Sequence, residues 1–113
     1  MKMIKLILLL ASVLFIAACA QTEEQSSAVE ASSAATIEIN NFKLIPDTVT
    51  IKRGGTVTWV QKDSIAHTVA ITDIPESPSL NKGDTWSYTF DKTGNYNYIC
   101  SIHPSMKGRI IVK

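Results

Sequence analysis

The stretch Thr85-Trp86-Ser87-Tyr88-Thr89-Phe90-Asp91-Lys92-Thr93-Gly94-Asn95-Tyr96-Asn97-Tyr98-Ile99-Cys100 decides the fold. Trp86, Tyr88 and Phe90 alternate with Thr85, Ser87 and Thr89. After a break at Lys92-Thr93-Gly94 the alternation resumes, with Tyr96, Tyr98 and Cys100 set against Asn97 and Ile99. Successive side chains on a strand point to opposite faces, so a period of two rich in aromatic residues marks a half-buried strand. Cys100 therefore shares the face of Tyr96 and Tyr98. If the tyrosines fill a core, its thiol points inward at the end of a strand.

The same period extends upstream and downstream. Ile37 and Ile39 alternate with Glu38 and Asn40, Val49 and Ile51 with Thr50 and Lys52, and Val57 and Trp59 with Thr56 and Thr58. Val69 and Ile71 alternate with Thr68 and Ala70, and the chain closes on Arg109 to Val112. Breakers separate these runs at Pro46-Asp47, Gly54-Gly55, Pro75 to Pro78 and Lys82-Gly83-Asp84. No segment carries a helical period. Seven short strands punctuated in this way predict a compact all-β antiparallel sandwich of about 7–8 strands. Tyr96, two residues after a turn glycine, sits where a tyrosine corner ties its phenol to upstream backbone.

Chemistry concentrates just past Cys100. In Cys100-Ser101-Ile102-His103-Pro104-Ser105-Met106 a thiol, an imidazole and a thioether follow at three-residue steps, so one tight loop can aim three donors at one point. Pro104 stiffens that loop, and Gly108 offers a backbone turn closed to other residues before the chain re-enters a strand. His67, the only other histidine, can approach from a neighbouring strand start. Two imidazoles and one thiolate with a weak axial thioether suit copper in an electron-transfer site. Zinc also takes cysteine and histidine, but structural zinc sites favour more thiolates and zinc gains little from a thioether. A catalytic cysteine–histidine pair is a further reading, although no acidic or amide orienter stands out.

The N-terminus reads as an address. Lys2 and Lys5 precede an apolar run to Ile16, and Ala17-Ala18 follow. That is the layout of a secretory signal over residues 1–18, and the run is short of the about 20 apolar residues a spanning helix needs. Ile16-Ala17-Ala18-Cys19 resembles the bacterial lipobox, which makes Cys19 the lipidation site. Residues 19–35, rich in Ser, Ala, Glu and Gln, read as a flexible tether, and residues 36–113 as the folded domain. With Cys19 lipidated, Cys100 is the only thiol left for the domain. No disulfide is then available to this small exported fold, and a metal is a natural source of part of its stability. From residue 36 onward nine basic residues face seven acidic ones, a net charge of +2. That is too weak for a nucleic-acid footprint.

The segment from Ile39 to Lys113 resembles the cupredoxins. Its short ligand loop, with proline after the histidine, is most similar to amicyanin, whereas plastocyanin and pseudoazurin space the second histidine and the methionine further apart. The resemblance implies a Greek-key β-sandwich that binds one copper ion, Cu(II)/Cu(I), through His67, Cys100, His103 and Met106. Many members carry asparagine directly after the first histidine; here Thr68 stands there, and its hydroxyl can make a similar tie to the cysteine loop. The resemblance also implies a docking patch around His103, for which Pro104, Ile102, Ile65, Pro46, Ile74 and Pro75 are candidates. The expected function is a one-electron carrier, not an enzyme. It would be a monomer held to the membrane by its lipid on the periplasmic or extracellular face, meeting redox partner proteins transiently. The alternative is a copper chaperone that hands the ion to another protein.

Overall fold

The computed structural model describes residues 31–113, so the signal, Cys19 and residues 19–30 of the tether lie outside the described residues. Seven strands follow in order: β1 (Ser32–Asn40), β2 (Lys43–Ile45), β3 (Thr48–Gln61), β4 (Ala70–Ile71), β5 (Thr85–Phe90), β6 (Gly94–Ile99) and β7 (Lys107–Val112). β1 begins at Ser32, four residues inside the stretch read as tether.

β3 builds the sandwich by belonging to both of its halves. Its first part, Thr48 to Ile51, runs parallel to β7. Its second part, from Gly55, pairs with β1 on one side and β5 on the other. The seven strands form one continuous sheet in the order β2-β1-β3-β7-β6-β4 with β5 also on β3, so β3 joins a β2-β1-β3-β5 half to a β3-β7-β6-β4 half. Glycine makes the crossing possible. Gly54 takes a φ of +86°, and a Cβ on Gly55 would lie 2.9 Å from the Lys52 carbonyl oxygen and 3.0 Å from that of Ser33. Read as a breaker between two strands, Gly54-Gly55 is instead a bend within one. The sandwich is all-β as expected, but its pairing is mixed, because β1 with β3 and β3 with β7 run parallel.

The alternation translates directly into burial. Ile37, Ile39, Ile51, Val57, Trp59, Val69 and Ile110 are fully buried, and Ile71, Phe90, Tyr98 and Val112 nearly so. Each such side chain contributes roughly 1.5–3 kcal/mol relative to exposure. The Tyr96 hydroxyl donates to the Lys92 carbonyl at 2.7 Å, which closes the expected tyrosine corner.

Gly108 departs from expectation. It does not turn the chain; it lies within β7, opposite Tyr98 of β6. A Cβ there would stand 2.4–2.6 Å from the Tyr98 ring and hydroxyl. What glycine supplies is room, letting the phenol lie across the neighbouring strand and pack edge-on against Trp59.

Candidate metal centre

Cys100 directly follows β6, and the chain returns as β7 after the seven residues from Cys100 to Met106. Backbone bonds set the loop's shape. His103 N–H donates to the Cys100 carbonyl at 3.1 Å, Met106 N–H to the His103 carbonyl at 2.9 Å, and Cys100 N–H to the Met106 carbonyl at 3.1 Å. The three-residue steps seen in the sequence are therefore two consecutive tight turns, tied off at the strand mouth. Cys100 is 1% exposed.

His67 arrives from the other side and is more tightly held. Its backbone N–H and C=O both pair with Leu80, at 3.1 and 2.8 Å, and β4 proper begins only at Ala70. The Gln61 amide, fully buried, donates to the carbonyls of Ile65 and Leu80 and so closes the loop around His67. The ring is fully buried, with Nε2 2.9 Å from Asp63 Oδ2. That carboxylate fixes which nitrogen faces the site: Nε2–H donates to Asp63, and the Nδ1 lone pair looks toward Cys100.

Three donor atoms converge. Cys100 Sγ lies 3.6 Å from His67 Nδ1 and 3.9 Å from His103 Nδ1, and all three atoms fall within 4.8 Å of one another. Bonds of about 2.3 Å to sulfur and about 2.0 Å to nitrogen, splayed by about 120°, would separate sulfur from nitrogen by roughly 3.8 Å. The triangle fits a single metal ion. Met106, 5% exposed, is buried at the loop's closing end.

Electrostatics favour the thiolate. Burial alone would push the Cys100 thiol up. The Thr68 N–H, the rings of His67 and His103 and the His103 N–H outweigh it and bring the thiol down to about 6. Thr68 ties itself to the cysteine loop twice: its N–H donates to Sγ at 3.4 Å, while its hydroxyl accepts from Ser101 N–H at 2.9 Å.

Residues 6–112 match the family described as the cupredoxin-like domain. The chain belongs to the cupredoxin family. Amicyanin-alpha of Methylorubrum extorquens is 35% identical over 83 residues, which span 68% of this chain and 70% of the relative. Plastocyanin of Scenedesmus fuscus is 39% identical over 83 residues, covering 60% of this chain and 84% of the relative. A solved structure of an amicyanin variant in its reduced Cu(I) form superposes with a TM-score of 0.68 at 29% identity, over 78% of this chain and 90% of that one. Copper is thus the cofactor of the family, and His67, Cys100 and His103 make a possible ligand site for it in this cupredoxin.

Two residues of the cupredoxin site were not legible in the sequence. Asp63 does orient a ring of the cysteine–histidine pair, contrary to expectation. An acid four residues before a histidine was the available signal. The second is Phe42. Asn41 and Phe42 form the two-residue turn between β1 and β2, with φ of +54° and +59°, a conformation bulky residues avoid. Asp63 holds it by accepting the N–H of Asn41 at 2.5 Å and of Phe42 at 2.9 Å. The ring thereby lands edge-on against His67 and His103, with centroids 5.3 and 5.0 Å away, and remains 48% exposed.

Of the six patch candidates, Ile102 and Ile65 are large exposed apolar residues, and Pro104, Pro46 and Pro75 are exposed. Ile74 does not join them. It is half-buried and lines a groove with Tyr88, Phe90 and Tyr96, toward the far end of β6 from Cys100.

Proposed function

We propose that this cupredoxin is a one-electron carrier holding a single copper ion with His67, Cys100, His103 and Met106. The observation that carries the reading is the buried triangle of Sγ and two Nδ1 atoms, already spaced for one ion in a fold shared with amicyanin and plastocyanin. Copper would supply the Cu(II)/Cu(I) couple, and the chain does the rest. Asp63 and Leu80 fix His67 from both ends, the loop turns fix Cys100 and His103, and the sandwich resists rearrangement between the two oxidation states. Met106, buried at the loop's closing end, would supply a fourth and weaker thioether donor.

Burial also separates this role from the competitors. A copper-delivery protein needs donors that can be exchanged, whereas Cys100 and His67 are sealed. The aligned Cys100, His67 and Asp63 have the form of a nucleophile, a base and an orienter, but no substrate can reach a thiol 1% exposed. The domain therefore performs no reaction of its own. Electrons would enter and leave through the half-buried His103, beside exposed Phe42, Ile102 and Pro104. A small apolar patch of this kind suits redox partners that bind briefly and release fast.

The pattern of residues 1–19 supports export and lipid anchoring at Cys19, on the periplasmic or extracellular face, with the following residues as a tether. No helix among the described residues is long and apolar enough to cross a membrane. Cys19→Ser should release the protein from membranes and leave its optical spectrum intact; a variant that stays membrane-bound removes the anchor.

The decisive experiment is the optical spectrum of the Cu(II)-loaded domain. An intense blue sulfur-to-copper band with reversible reduction is expected. Met106→Leu should retain the band and alter the potential. A colourless Cu(II) adduct, or rapid loss of copper to weak chelators, would overturn the carrier reading.

A further inference from the structure

A chain of hydroxyl groups runs outward from the Cys100 sulfur to an exposed carboxylate. Thr68 Oγ1 stands 3.9 Å from Cys100 Sγ and 2.8 Å from Ser101 Oγ, and the Ser101 hydroxyl in turn bonds Glu76 Oε2. Glu76 is not placed by chance. The next residue, Ser77, is buried and stitched to Val69: its N–H donates to the Val69 carbonyl at 3.0 Å, and its hydroxyl accepts from Val69 N–H at 2.8 Å. The segment carrying Glu76 is thus pinned against the backbone that follows Thr68.

The direction of this chain follows from counting protons. Each hydroxyl has one to give, and a carboxylate only accepts. With Glu76 as the terminus, Ser101 gives its proton to the carboxylate in a charge-assisted bond. Thr68 must then give its own proton to Ser101 Oγ, and the sulfur keeps the backbone N–H groups of Thr68 and His103 but no hydroxyl. Without that acceptor the chain can reverse: Ser101 donates to Thr68 Oγ1, and Thr68 donates to Cys100 Sγ.

We propose that Glu76 is a positioning residue for the copper centre, holding the Thr68–Ser101 hydroxyl chain turned away from the Cys100 sulfur. The consequence is electronic. The thiolate sulfur carries more negative charge when the centre is reduced, so a hydrogen bond withheld from it keeps the reduction potential lower. Nothing in the sequence points to Glu76, which is remote from the ligand loop and lies among prolines.

The inference rests on the copper reading, and its test separates the two. Glu76→Ala, Ser101→Ala and the double variant are loaded with Cu(II) and measured at about 1 M salt, where a Debye length of about 3 Å suppresses the direct field of the lost charge. Each single variant should move the potential to more positive values and the sulfur-to-copper band to shorter wavelength. The double variant should shift no further than either single one, because both break the same chain. Three results would overturn the proposal: a blue Glu76→Ala domain with unshifted band and potential, additive shifts in the double variant, or a loss of thermal stability in its apo form with no spectral change. A wild-type domain lacking the band would overturn the copper reading and this inference together.

Discussion

The Asp63 carboxylate is joined to His67 Nε2 at 2.9 Å, and the same carboxylate accepts the backbone N–H groups of Asn41 and Phe42. One buried side chain thus serves two purposes, turning the imidazole toward Cys100 and fixing the loop that places Phe42 over both rings. Burial alone would raise the Asp63 carboxyl, but the N–H groups of Phe42 and Asn41, together with the His67 ring, outweigh it and hold the group below its ordinary range.

Asp63→Ala leaves three donors without their acceptor, and an unsatisfied buried donor costs about 1–3 kcal/mol. The apo-domain should lose about 3 kcal/mol of unfolding free energy by denaturant titration. Asp63→Asn, which keeps one accepting oxygen, should lose less. Equal midpoints for Ala and wild type would show that the clamp adds nothing to stability.

Cys100 makes the apo-domain's stability depend on pH in a stated direction. Its folded value is about 6, against about 8.5 for an unperturbed thiol. The unfolded chain therefore binds more protons between these limits, and stability rises with pH across them. The contribution is fully present above the unfolded value and is lost as pH falls through about 6. Thermal midpoints of apo wild type should climb from pH 6 to pH 9 more steeply than those of apo Cys100→Ala. Parallel profiles would mean that the fold does not stabilise the thiolate.

Phe42 separates backbone strain from ring packing. A left-handed conformation costs a non-glycine residue roughly 1–2 kcal/mol. Phe42→Gly and Phe42→Ala lose the same ring contacts with His67 and His103, but only glycine relieves the backbone. The glycine variant should therefore be the more stable by about 1 kcal/mol in chemical unfolding. An alanine variant as stable as glycine would show that the turn carries no strain.

The pairing of Tyr98 with Gly108 predicts an asymmetry. Gly108→Ala drives a methyl into the phenol ring and should cost about 1–3 kcal/mol, a penalty that shrinks in a Tyr98→Leu background. Tyr98→Phe should be nearly neutral or stabilising, because the buried Tyr98 hydroxyl has no hydrogen-bond partner among the described residues. Burial pushes that phenol up to about 12, so it stays protonated through the pH range tested. Calorimetric midpoints of the three variants decide the matter.

What the sequence determined by itself was local. Period two survives in any all-β arrangement, because it reflects one buried face per strand. It correctly turned Tyr98 and Cys100 inward, set the half-buried Tyr96 against the core and identified the tyrosine corner. The meeting of Cys100 with His103 was legible for the same reason, since the two are neighbours along the chain and a three-residue step lets Sγ and Nδ1 approach.

The tertiary structure decided everything that depends on distant segments meeting. Gly54-Gly55 signals a break whichever way the chain continues, and only the two pairings of β3 make it a bend between the halves of the sandwich. Gly108 is read as flexibility until the ring opposite it is known. Phe42, Asp63 and Glu76 stand 61, 40 and 27 residues before His103 in the sequence. No periodicity links a carboxylate to a turn 21 residues upstream, or a second one to Ser101, 25 residues further on. The candidate donors were written in composition and spacing. The orientation of those donors is a matter of hydrogen bonds across the sandwich end, and the folded chain alone sets them.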